Sequence, residues 1–134
     1  MRTPKAAMLL ALACSVFAQS PQLHSRILGK EGTRSARRWT LAALNGGATA
    51  LADVKLTGIQ VVQTNQAEGA ACAPKVKSPP IPFALGTVAP HAAASAVVVI
   101  DFAGCSNNAK FSVRADFEGQ GGVKGTLLRS NQYR

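Results

Sequence analysis

The residue types in this chain that could do chemistry are three cysteines, two histidines and six carboxylates, and their spacing limits what that chemistry can be. Nucleophilic catalysis needs a Ser or Cys within reach of a base that a third group orients. His24 lies in a polar N-terminal stretch and His91 in an Ala-Pro turn, neither near a promising serine, so both read as surface histidines. Asp53, Asp101, Asp116 and Glu118 could pair for acid-base work or bind Ca²⁺, but the D-x-[DN]-x-[DN]-G spacing of a calcium loop is absent. Carboxylates on strands that face Lys or Arg across a sheet account for them. Zinc would require more ligands than His24 and His91 can add to the cysteines. There is no phosphate loop, dinucleotide fingerprint or N-x-[ST] acceptor. No catalytic residue, metal or cofactor is therefore expected. One covalent possibility stands apart, because Lys55, Asn131 and Asp101 are the residue types of a cross-strand isopeptide bond.

The N-terminus decides how the cysteines are read. Arg2 and Lys5 precede an apolar block from Ala6 to Ala13, and Val16 and Ala18 fit the small-residue positions of a signal-peptidase site, with cleavage before Gln19. Lipid attachment at Cys14 is the alternative, but a lipobox wants Leu three residues upstream, where Ala11 stands. No second apolar run reaches transmembrane length, so the expected product is soluble and either secreted or periplasmic. Cys14 leaves with the signal. Cys72 and Cys105 remain as a pair in an oxidising compartment, where a disulfide is the default.

The chain holds 15 Lys+Arg against 6 Asp+Glu, a formal charge of +9 over 134 residues. Loss of Arg2 and Lys5 with the signal leaves +7, an excess that favours anionic polymers. The cations follow no periodic face. A binding set, if there is one, would draw on Arg37, Arg38, Lys75, Lys77 and Lys110. Polysaccharide, lipid headgroups and nucleic acid all carry the required charge; an extracellular or envelope protein or polysaccharide is the expected partner, and nucleic acid is not.

The elements that must position these residues are strands. Ala96 to Phe102 concentrates three valines and an isoleucine, whose stiff χ1 suits a pleated surface. Trp39, Leu41 and Ala43 alternate with Arg38, Thr40 and Ala42 in Arg37 to Leu44, and Asn45-Gly46-Gly47 ends that segment. Ala52 to Gln63 alternates until Gly58, where a bulge would return Ile59 and Val61 to the core. Phe83 to Val88 is a short strand. Phe111, Val113, Ala115 and Phe117 alternate inward with Ser112, Arg114, Asp116 and Glu118 outward, and Gly119 to Gly122 turns the chain into a last strand, Val123 to Leu128. Gln19 to Ser35 reads as a flexible basic lead-in, Thr64 to Pro82 as a long polar loop, and 130–134 as a tail. The organisation is thus signal 1–18, lead-in 19–35, domain 36–129 and tail 130–134.

Six to seven short strands with no helical pattern between them imply an all-β antiparallel sandwich. If successive strands alternate in direction, the loops carrying Cys72 and Cys105 emerge at the same end, so a bridge between them needs no rearrangement.

The segments Asn45-Gly46-Gly47-Ala48-Thr49-Ala50-Leu51-Ala52-Asp53-Val54 and Leu85-Gly86-Thr87-Val88-Ala89-Pro90-His91, followed by the run ending Asp101-Phe102-Ala103-Gly104-Cys105, resemble the CARDB-like immunoglobulin-like modules of bacterial surface and secreted proteins. His91 stands where those modules usually carry glycine. The resemblance spans about Trp39 to Leu128 and implies an immunoglobulin-like sandwich. It also implies a spacer or adhesive role without catalysis.

Overall fold

The computed structural model describes residues 22–65 and 71–134. The signal segment, Cys14 and the cleavage point before Gln19 lie outside the described residues. The described residues form eight strands: β1 Leu23–Gly32, β2 Arg37–Asn45, β3 Leu51–Gln63, β4 Lys75–Ser78, β5 Phe83–Val88, β6 Ala93–Asp101, β7 Phe111–Gly119 and β8 Val123–Asn131. A single 3₁₀ turn, Gln120–Gly122, joins β7 to β8. Every pairing is antiparallel, and the strands divide into two four-stranded sheets ordered β1-β2-β6-β4 and β5-β3-β7-β8. The protein is an all-β antiparallel sandwich, as the sequence predicts, with one strand more than the upper expectation.

With β1, β2, β6 and β4 in the places of strands A, B, E and D, and β3, β7 and β8 in those of C, F and G, the pairing follows the immunoglobulin pattern. One exchange distinguishes it. The chain visits β4, beside β6, before it visits β5, beside β3.

Alternation fills the space between the sheets. Trp39, Leu41 and Ala43 from β2, Val54 and Leu56 from β3, Ala96, Val98 and Ile100 from β6, and Phe111, Val113, Ala115 and Phe117 from β7 are all buried. Gly58 lies at a register shift in the β3–β7 ladder, which lets Val61 pair with Val113 in the core. Phe102 joins the aromatic side chains at one end, with ring centroids 5.5 Å from Trp39, 5.1 Å from Phe111 and 5.8 Å from Tyr133.

Three sequence expectations are corrected. Part of the lead-in, Leu23–Gly32, is an edge strand paired with β2 along its length. Its inward positions include Ser25 and Lys30 beside Leu23 and Ile27, and a bulge between Ile27 and Gly29 breaks the period, so the apolar pattern is diluted. The long loop contains β4, which is only four residues long and pairs with β6 while Val76 packs on the core. The tail is docked: β8 runs on to Asn131, and Tyr133 is buried.

Among the described residues Asn45 is the one buried polar residue, and its side chain is fully satisfied. Its Nδ2 donates to the carbonyls of Thr49 (2.8 Å) and Val88 (3.2 Å), and its Oδ1 accepts from the Gly47 amide at 3.0 Å. The N-G-G turn is thereby tied to the end of β5. His91 adopts φ +57°, the left-handed region that glycine favours, so the turn keeps a glycine-like shape with a histidine in it.

Candidate functional site

The topology sends both cysteine-bearing loops to the end of the sandwich where β3 and β6 finish. Cys72 and Cys105 are bridged there with Cα atoms 5.2 Å apart. The same pole receives the turn between β1 and β2, the start of β4, the start of β7 and the C-terminal residues.

Its loops are cross-braced by side chains. The Cys72 amide donates to Gln63 Oε1 at 2.9 Å. Asn65 Oδ1 accepts from the Lys110 amide at 2.7 Å, while its Nδ2 donates to the Asn108 carbonyl at 3.1 Å. Arg34 donates to the Cys105 carbonyl, to Asn107 Oδ1 and, at 3.1 Å, to Tyr133 Oη. Arg37 Nε and Trp39 Nε1 each donate to the Tyr133 carbonyl at 3.1 Å. Lys30 Nζ donates to the carbonyls of Gln132 (2.7 Å) and Arg134 (3.3 Å) and lies 4.4 Å from the centre of the Trp39 ring. Burial, with the nearby Arg37 charge second, lowers the Lys30 ammonium from its ordinary 10.5 to about 8.

The five cations singled out from sequence all come to this pole, although no periodicity links them. Arg37 is half-buried and committed to Tyr133 and to the Gly32 carbonyl, which it meets at 2.6 Å. Arg38 is exposed and pairs with Glu31 at 3.1 Å. Lys75 stands opposite Asp101 in the β4–β6 ladder, and Lys75, Lys77 and Lys110 are exposed. Lys30 and Arg34 add to the same end, and sequence reasoning passed over both because they lay in the presumed flexible lead-in. Among the described residues the acids at this pole are Glu31 and Asp101. The opposite pole mixes Asp53 and Glu118 with Lys55 and Lys124, so the field of the molecule is polarised along its long axis.

The other candidates disperse. His24 is on β1 and His91 in the β5–β6 turn, and among the described residues no three His, Cys, Asp or Glu side chains gather as a metal site. Asp116 is held by Arg114 (3.2 Å) and the Thr126 hydroxyl (2.8 Å). Lys55 pairs with Glu118 and Asn131 with Phe111, seven residues apart along β7 and so separated by about 20 Å. Asp101 belongs to the other sheet, and no isopeptide bond can form among the three.

A disulfide-bridged, antiparallel β-sandwich with one strongly basic pole is the class of protein that these features define. No family model and no curated protein sequence matches the chain. Among solved structures, the X-ray structure of Northeast Structural Genomics Consortium target SoR45 is similar, at 10% identity over 84% of this chain and 83% of that one, with a TM-score of 0.34. A likeness that loose carries no functional argument. Among the described residues no helix is long and apolar enough to cross a membrane.

Proposed function

We propose that this chain is an exported, non-catalytic interaction module with an adhesive or structural role in or outside the cell envelope, whose binding end is the bridged pole and whose partner is an anionic polysaccharide. The observation that carries this reading is the convergence of Arg38, Lys75, Lys77 and Lys110 on the end whose loops the Cys72–Cys105 bridge and Arg34 hold in place. A fixed cluster of cations loses little freedom on meeting a polyanion, and the field at that end steers the encounter. Nucleic acid is disfavoured at this pole, since Trp39, Phe102 and Phe111 are fully buried there and the exposed Phe83 lies on β5 opposite Leu56, away from the basic end. The turn signatures shared with CARDB-like modules fit a spacer or adhesive unit of the bacterial surface.

The test has two parts. Expressed with its signal, the exported product should have a mass that starts at Gln19, with no free thiol until it is reduced. It should be retained on heparin, and moderate salt should release it. The Arg38→Gln/Lys75→Gln/Lys77→Gln variant should elute at clearly lower salt. Full-length protein with free thiols would overturn the export reading. Retention that the triple variant does not change would overturn the pole as the binding end, and no retention at all would leave a purely structural role.

A further inference from the structure

The flank of the sandwich where the edge strands β1 and β8 meet holds a second feature, built from residues other than the cations proposed to bind at the bridged pole. There the backbones approach closely: a Cβ on Gly125 would stand 2.6 Å from the Leu23 carbonyl oxygen. Beside this pinch lies a cavity of about 410 Å³. His24, Ser25, Arg26, Thr126 and Arg129 contribute its polar lining, and Leu23 and Leu44 its apolar wall.

The chemistry of this lining is one-sided. Arg26 comes from one sheet and Arg129 from the other, and no carboxylate lines the space between them. The nearest acid tied to the lining, Asp116, is occupied by the Thr126 hydroxyl at 2.8 Å and by Arg114. Ser25 Oγ is buried without a hydrogen-bond partner, a condition that native structures seldom leave unexplained. Two guanidinium groups beside an imidazole suit a planar or tetrahedral oxyanion, which arginine can bind through paired N–H groups. The cavity exceeds what a bare inorganic ion fills and falls in the size range of small-molecule sites. Its leucines offer a surface for the apolar face of a ring.

We infer that the β1–β8 seam binds an organic oxyanion of sugar size, a carboxylate or sulfate carried on a saccharide ring, independently of the polymer-binding role proposed for the pole. Arg26 and Arg129 hold the anionic group, one from each sheet.

The experiment is a titration of the full exported chain, followed by backbone amide NMR at constant ionic strength, with glucuronate, inorganic sulfate and neutral glucose as probes. Glucuronate is expected to shift the amides of Ser25, Arg26, Thr126 and Arg129 saturably, with sulfate weaker and glucose without effect. The Arg26→Gln/Arg129→Gln variant should bind glucuronate at least about tenfold more weakly, while Arg38→Gln/Lys77→Gln, with the same loss of charge at the pole, should change binding by less than about twofold. Should the seam variant lose its dispersed spectrum, the single variants Arg26→Gln and Arg129→Gln supply the test, and each should weaken binding severalfold. Equal losses in the seam and pole variants, or no saturable shift at the seam, would overturn the site. Sulfate binding as tightly as glucuronate would overturn the saccharide assignment. Neither of these results would touch the heparin reading of the pole, which rests on different residues.

Discussion

The indole Nε1 of Trp39 donates a hydrogen bond of 3.1 Å to the carbonyl of Tyr133, 94 residues further along the chain. The Tyr133 ring packs against Phe102, and its hydroxyl joins Arg34 and Asn107. The C-terminal residues therefore seal the core at the bridged pole and satisfy the buried N–H of Trp39. Replacing Tyr133 by Ala should destabilise the protein by about 3 kcal/mol in urea unfolding, through lost burial and a loosened tail. Tyr133→Phe should cost about 1 kcal/mol, the worth of the hydroxyl bonds. An Ala variant as stable as the parent would mean that the tail does not seal the core.

Asn45 makes a second testable tie. Asn45→Ala removes the side-chain partner of the Val88 carbonyl and the Gly47 amide, both in buried residues, and one bond to the carbonyl of exposed Thr49. A loss of about 3 kcal/mol is expected, unusually large for a turn residue, because each orphaned group carries its own desolvation penalty. Chemical denaturation reads it directly, and a change below about 1 kcal/mol would show that water reaches the turn.

At His91 the direction is reversed. A left-handed φ strains any side chain that bears a Cβ, and His91 is exposed, with no core packing to lose. His91→Gly should raise stability by up to about 1 kcal/mol, after the added flexibility of the unfolded chain is allowed for. His91→Ala should stay near neutral. A higher thermal midpoint for Gly alone would confirm the turn geometry.

Lys30 should titrate near pH 8, and NMR of its side-chain nitrogen can follow the change. The lowered value sets the sign of its effect on stability. Below about pH 8 the amine is protonated whether the chain is folded or unfolded, and burial of the charge opposes folding. Between about 8 and 10.5 the unfolded chain holds the proton that the folded chain has released, so this contribution rises with pH. Relative to Lys30→Met, the parent protein should therefore gain stability from pH 8 towards 10.5. A parent that neither gains nor loses stability relative to Lys30→Met over that window would place Lys30 in an ordinary solvated setting.

The sequence alone determined the sandwich class, most of the interior strands and the one available disulfide. Those depend on local signals: alternation in Phe111 to Phe117, the valine run, glycines at the turns, and the even pair of cysteines, Cys72 and Cys105, that follows the N-terminal segment. The fit of β5 to Phe83–Val88 and the bulge at Gly58 belong with them. What only the tertiary structure decided depends on contacts between distant segments. β1 carries Ser25 and Lys30 at inward positions and becomes a strand because β2 offers it a ladder, while four-residue β4 exists because β6 has a free edge. The basic pole shows no period in the sequence, because its cations come from turns and strand ends that antiparallel alternation stacks at one end. The seam was equally hidden: Arg26 lay in a presumed flexible segment and Arg129 at the margin of the tail, and only the approach of two sheet edges makes them neighbours.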